Sequence, residues 1–287
     1  MRLRYGRPVR YGFKTAPMNT TWSAMLDVWR VADQLETFES AWNFDHFEPI
    51  FSDRSGPCLE GWSMLAAMAV ATSRLRLGCQ VTGMPYRHPS VLANIAATID
   101  VISDGRLIIG LGAGWNQDES DALGIHLPPL KERFERFEEG VQVIVKLLSE
   151  DRVSFQGRHF TLTEAWCEPK PVQRPHPPIA IGGNGERRTL RIVAEHAQHW
   201  NSTLSDVEAW KAKCEVLDRH CAEVGRDPAS IERSVNVRLA AGDDPRSLQP
   251  ALARWKDAGA DVCIVYLGTP HNAAVMEPVA AALAELG

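Results

Sequence analysis

Four stretches of this 287-residue chain carry side chains or backbone suited to chemistry. Asp45-His46-Phe47 offers an imidazole, whose ordinary pKa of about 6.5 lets it take or give a proton near neutrality. The competing reading is a histidine capped by its neighbouring carboxylate for packing alone. Gly78-Cys79-Gln80-Val81-Thr82-Gly83 interrupts an apolar run with a polar pair, and a bulge that re-aims the chain would look the same. In Gly110-Leu111-Gly112-Ala113-Gly114-Trp115-Asn116 the glycines let backbone come close to a flat ligand, with Trp115 as a wall. Ile181-Gly182-Gly183-Asn184-Gly185-Glu186-Arg187-Arg188 places glycines just ahead of a helix. Free N–H groups and the helix dipole there favour an anion by roughly 0.3–1 kcal/mol when exposed and ~2 at best. Arg187 and Arg188 add positive charge, and a plain strand-to-helix turn would need fewer glycines. Phosphate binding is the expected use.

These stretches can act together only if the fold gathers them, and strand-like and helix-like segments alternate throughout. Strands are expected at 9–14, around Ala41 to Phe44, at 75–81, 107–111 and 179–181, near Trp200-Asn201, and at 235–239 and 262–267. Between them run helices. One has the apolar face Trp22, Met25, Leu26, Trp29, Ala32 and Leu35, and another covers 62–72. A third opens at Pro89 with the stripe Val91, Leu92, Ile95, Ile99 and Ile102, and closes at Gly105. A fourth carries Phe134, Phe137, Val141, Ile144, Val145 and Leu148. After that fourth helix, Val153 to Leu162 reads as a β-hairpin about the two-residue turn Gly157-Arg158, inside a proline-rich insertion at about 150–178. Ser205 to Glu208 is read as a capping box. Eight strand–helix pairs predict an α/β fold, a (β/α)8 TIM barrel in one domain over 1–287, with the four stretches at the carboxyl ends of its strands. An open doubly wound sheet is the runner-up, but it calls for GxGxxG after the first strand, and Gly12-Phe13-Lys14 supplies none.

Composition narrows the function. A net charge of −5 with scattered Lys and Arg excludes the basic stripe that nucleic acid requires, leaving a small-molecule partner. The longest purely apolar run, Met64 to Ala71, is too short for a membrane span. Met1 to Gly6 has charges with no apolar stretch behind them, so no signal peptide is expected and the location reads as cytoplasmic. Cys58, Cys79, Cys167, Cys214, Cys221 and Cys263 form no CxxC pair or metal spacing. His196 and His199 could mimic a metal pair, but without a third ligand a solvated helix end is the expected reading and no metal is assigned.

Taken together, Trp42 to Phe47, Thr72 to Gly78, Tyr86-Arg87-His88-Pro89, Gly105-Arg106-Leu107, Gly110 to Trp115, and Pro175 to Pro178 leading into Gly182-Gly183 resemble the luciferase-like monooxygenase family, in particular its coenzyme F420-dependent oxidoreductase branch. The resemblance runs nearly end to end. It implies a barrel with an insertion, a deazaflavin across the strand ends, hydride exchange at that ring, and a homodimer. By the same resemblance His46 sits by the reactive ring as proton donor, acceptor or orienter. Asp45, Cys79, Gln80, Thr82, Ala113, Gly114, Trp115 and Asn116 flank or support the cofactor, with a non-proline cis peptide frequent at the Cys79-Gln80 segment. Gly182, Gly183, Asn184 and Gly185 hold its phosphate. The chain departs from the branch's sugar-phosphate dehydrogenases, which carry glutamate where Trp115 stands and tryptophan where Ile50 stands, so glucose 6-phosphate is not the expected substrate.

The expected function is hydride transfer between coenzyme F420 and a small organic substrate. The alternative is a monooxygenase using reduced FMN, and a third is a non-catalytic cofactor carrier, which has no need of an ionisable group beside the ring.

Overall fold

The computed structural model describes residues 8–50 and 53–286, so the expectation about the amino terminus lies outside the described residues. In chain order the strands are β1 Arg10–Thr15, β2 Phe38–Asn43, β3 Arg76–Cys79, β4 Thr82–Gly83, β5 Leu107–Gly112, β6 Val153–Gln156, β7 Thr161–Ala165, β8 Ile179–Gly182, β9 His199–Ser202, β10 Glu232–Leu239 and β11 Val262–Leu267. The helices are α1 Trp22–Asp33, α2 Gly61–Ala71, α3 Pro89–Ile102, α4 Gln117–Leu123, α5 Leu130–Ser149, α6 Thr189–His196, α7 Val207–Glu223, α8 Gln249–Ala258 and α9 Met276–Ala284.

β1, β2, β3, β5, β8, β9, β10 and β11 pair in parallel, and the β3–β5 and β1–β11 pairings close them into a ring. This is the expected eight-stranded barrel, with β4 a short continuation beside the end of β5. Strand alternation sorts the side chains into two layers. Trp42, Ile108, Ala180, Val262 and Ile264 cluster as one small buried group. Phe13 meets Trp29 of α1 edge-on at 5.9 Å, within the much larger core of helices packed on strands. On β1 this places Phe13 and Thr15 against α1 and leaves Lys14 lining the cavity at the barrel mouth.

Local chemistry explains where elements begin. Pro89 starts α3 behind His88, whose side chain accepts the Ser90 N–H. α7 is capped by Asp206, which accepts the Ala209 N–H at 2.7 Å, so the cap is one residue later than the Ser205 box predicts. The buried face of α3 also differs from the predicted stripe. Val91 and Ile102 are 53% and 44% exposed, while Ala93, Ala96 and Ala97 are buried, because small side chains let the helix lie close to its neighbours. Trp22, the first residue of α1, is likewise 39% exposed.

The hairpin forms from β6 and β7, but its turn spans residues 157–160 rather than two. Gly157 N–H bonds Phe160 O, and the Glu139 carboxylate takes the N–H groups of Arg158, His159 and Phe160, which together pin the longer loop. His199 begins β9 and is buried, bonded to Ser234 Oγ at 2.6 Å, so the expectation of a solvated helix end is wrong for it. Among the described residues no group of His, Cys, Asp and Glu could hold a metal, and no helix is long and apolar enough to cross a membrane.

Candidate active site

A cavity of about 460 Å³ opens at the carboxyl ends of the barrel strands. It is lined by segments the sequence singles out: His46 after β2, Gln80 and Val81 between β3 and β4, Ala113, Gly114 and Trp115 after β5, and Gly182 and Gly183 at the end of β8. His46 and Gly183 therefore share one rim. The Gln80–Val81 peptide is cis. Gly114 and Gly183 have φ of +86° and +123°, values that favour glycine, and a Cβ on Gly114 would come within 2.9 Å of Pro85.

His46 is held from three sides. Its ring meets Trp115 at 5.5 Å and Phe44 at 5.2 Å, both edge-on. Its Nδ1 lies 2.8 Å from Oε2 of Glu119, whose side chain is fully buried. The same carboxylate accepts the Tyr86 hydroxyl at 2.6 Å and the Phe47 N–H at 2.6 Å. Burial disfavours the Glu119 anion, but the hydrogen bonds from His46, Tyr86 and Phe47 outweigh it and keep the carboxyl below its ordinary range. Burial and that carboxylate push the Tyr86 phenol up, so it remains a donor. An ionised Glu119 accepts from Nδ1–H, which fixes the imidazole tautomer and its orientation. Nε2 then has no hydrogen-bond partner among the described residues.

Glu119 is absent from the sequence reading, and so is α4, which carries it. Asn116 accepts the Glu119 N–H at 3.3 Å and caps α4, so it places this carboxylate and lies outside the cavity lining. The Asn116…Glu119 spacing of a helix start is the signal that could have exposed it.

Three other expected residues also stand behind the lining. Asp45 is buried and accepts two bonds from Arg87, at 2.5 and 3.0 Å, while Arg87 also reaches Glu60. Burial pushes the Asp45 carboxyl up to about 6 against the pull of Arg87. Thr82 Oγ1 accepts the Trp62 indole N–H at 2.7 Å, and Cys79 is fully buried in the main core, where burial pushes its thiol up. These residues brace the loops that carry the lining.

At the far side, Gly182 and Gly183 pass into a second, open groove of about 730 Å³ that shares Phe134 with the first and contains Asn184, Gly185, Lys131, Arg187, Arg188 and Lys213. The Asn184 amide is fixed by Ser202 and Thr203 at 2.8 and 2.9 Å. Lys213 pairs with Glu186, and Arg188 bonds Lys131 O and lies over the Phe134 ring. The four basic side chains against one carboxylate give the groove a positive balance.

The lining also holds polar groups the sequence reading passes over. Lys14 is buried, donates to Gln80 O at 2.9 Å and sits over the Tyr266 ring. The Gln80 side-chain oxygen and nitrogen and Asn236 Oδ1 are buried without a partner.

Comparison with known proteins agrees with this arrangement. The sequence profile of the luciferase-like monooxygenases matches residues 7–284. A curated F420-dependent glucose-6-phosphate dehydrogenase of Kineococcus radiotolerans is 29% identical over 243 residues, 84% of this chain and 71% of that protein. An FMNH2-dependent dimethylsulfone monooxygenase of Pseudomonas putida is 29% identical over 68% of this chain and 56% of its own length. Among solved structures, an F420-dependent secondary alcohol dehydrogenase in complex with an F420-acetone adduct superposes with a TM-score of 0.85 at 18% identity. The match covers 97% of this chain and 99% of that one, a likeness of fold.

Proposed function

The chain belongs to the luciferase-like monooxygenase family, and from that membership we propose that it is a single-domain oxidoreductase transferring a hydride between coenzyme F420 and a small organic substrate. The observation that carries the choice of F420 over FMN is the continuity of the cavity with the basic groove. A flat ring and one phosphate suit the cavity and the Gly182-Gly183 turn, where FMN would end. Lys131, Arg187, Arg188 and Lys213 extend beyond that point and match the longer anionic tail of F420.

The lining fits a ring of this kind: the Gln80 amide offers an unused donor and acceptor, and the glycine turns keep side chains out of its way. When bound, the deazaflavin supplies a ring carbon that gives or accepts a hydride. The protein supplies the rest. Glu119 holds His46 Nδ1–H, so Nε2 is the atom that holds or delivers a proton at the substrate oxygen. Trp115 and Phe44 confine the imidazole and exclude water from one side. Where the sugar-phosphate dehydrogenases carry glutamate this chain carries Trp115, and a carboxylate reaches the imidazole from Glu119, so the proton partner is the His46–Glu119 pair. A homodimer is part of the same reading, on the family resemblance alone.

Titration of the pure protein with F420 and with FMN tests the reading. F420 binds tightly, and Arg187→Glu weakens F420 far more than FMN. Tight FMN binding with none for F420, together with oxygen uptake on reduced FMN, overturns it in favour of a monooxygenase.

A further inference from the structure

We propose that Lys14 is the anion-recognition residue of the cavity, so that the organic substrate carries a carboxylate that docks on its ammonium. The inference rests on the reading above that this cavity is the reaction site.

Lys14 is the penultimate residue of β1, inside the barrel mouth, is 8% exposed and lines the cavity. No carboxylate pairs with it among the described residues. One of its three donors is used, on Gln80 O, and the Phe44 and Tyr266 rings lie within 6.0 and 5.0 Å of Nζ. Burying an ammonium with so few partners is unfavourable, and burial pushes its pKa down to about 8. A purely structural lysine gains little from such a place, since one carbonyl and two ring faces replace its hydration poorly. An incoming carboxylate supplies the missing charge and accepts the free N–H donors. Beside it, the Gln80 side chain is 6% exposed and unpartnered at both polar atoms, and Asn236 Oδ1 is unpartnered too, so the same floor holds further polar atoms for a ligand. Asp45 and Glu119, the carboxylates near the cavity, are committed to Arg87 and to His46 with Tyr86. The floor is thus left with a net positive charge that the protein itself does not neutralise.

The test compares acids with uncharged partners of the same skeleton: benzoate with benzamide, and butyrate with butyramide, titrated by calorimetry against the full-length wild type, Lys14→Met and Lys14→Arg. In the wild type the acids bind about tenfold more tightly than the amides. The preference vanishes in Lys14→Met, returns in part in Lys14→Arg, and Lys14→Met melts no lower than the wild type. Equal binding of acid and amide by the wild type, or a preference that survives Lys14→Met, overturns the inference. A lowered melting temperature with both ligand classes lost equally assigns Lys14 to structure and also overturns it. F420 titrated against the same three proteins separates the sources of negative charge. Unchanged F420 affinity is expected, whereas weakened F420 binding with the acid preference intact makes the cofactor the anion and sinks the proposal. Should the wild type bind no F420 yet keep a Lys14-dependent acid preference, the functional reading fails and this one stands.

Discussion

The two ends of the barrel pair their polar groups to different degrees. At the amino ends of the strands, Arg10 pairs with Glu39 and Glu232, at 3.2 and 2.9 Å, and His199 bonds Ser234 and lies 3.5 Å from Glu232. At the carboxyl ends, among the described residues, Lys14 has no carboxylate partner, the Gln80 amide and Asn236 Oδ1 have no hydrogen-bond partner, and neither has His46 Nε2. An unsatisfied buried polar group costs about 1–3 kcal/mol, so the mouth, with both Gln80 side-chain atoms and Asn236 Oδ1 against Arg233 Nε at the base, carries the heavier burden. In a (β/α)8 barrel that asymmetry separates the end used for chemistry from the end that holds the fold.

The sharpest way to break the comparison is to exchange the fates of two histidines. His46→Ala should lower turnover by about 10²–10⁴-fold while leaving the melting temperature within a few degrees, as expected for a general acid or base. Steady-state kinetics beside calorimetry would check it, and unchanged turnover would favour a carrier. Lys14→Met should stabilise the protein by about 3 kcal/mol at pH 7, the cost of a pKa lowered from 10.5 to about 8. The sign follows from protons bound. Between about pH 8 and 10.5 the native lysine is neutral while the unfolded one is still charged, so wild-type stability rises with pH and the gap to the variant closes. Denaturant melts at pH 7 and 10 measure this, and a gap that widens would contradict the charged state.

His199→Ala should cost about 1–3 kcal/mol of stability by stranding Ser234 and Glu232, with turnover per folded molecule unchanged. A loss of turnover as large as that of His46→Ala would erase the distinction between the ends. The smallest effect concerns acid. Because the Glu119 carboxyl is held below its ordinary 4.5, its contribution is complete above that pH and is lost as pH falls through the lowered value. Glu119→Gln should therefore melt with a shallower dependence on acid below pH 4.5, and an unaltered slope would remove Glu119 from the stabilising set.

Much of this was legible because strands and helices leave different periods. The runs 107–111 and 262–267 are apolar on every residue, as strands covered on both faces must be, and the glycine turns after them locate the mouth. The phase of α3 was not legible, since alanine buries against close neighbours as readily as isoleucine and the large residues Val91 and Ile102 face outward. α4 escaped because Gln117-Asp118-Glu119-Ser120-Asp121 has no apolar stripe, although Glu119 and Ser120 are its buried residues. Lys14 was passed over for a related reason. In sequence it is a lone charge ending a strand, and only the closed ring shows that, among the described residues, no carboxylate is brought to meet it. Asp45, Cys79, Thr82 and Asn116 were placed in the right neighbourhood one layer too far forward.

α4 is seven residues long, starts on Asn116 and stops at Gly124 in a left-handed turn, outside the ring of strands. The imidazole is thus anchored to the scaffold while the acid that steadies it arrives on a separate, replaceable arm. Changes in length or sequence within that arm could retune the proton chemistry of the enzyme without disturbing a single rung of the barrel, which gives the fold a cheap route to new reactions.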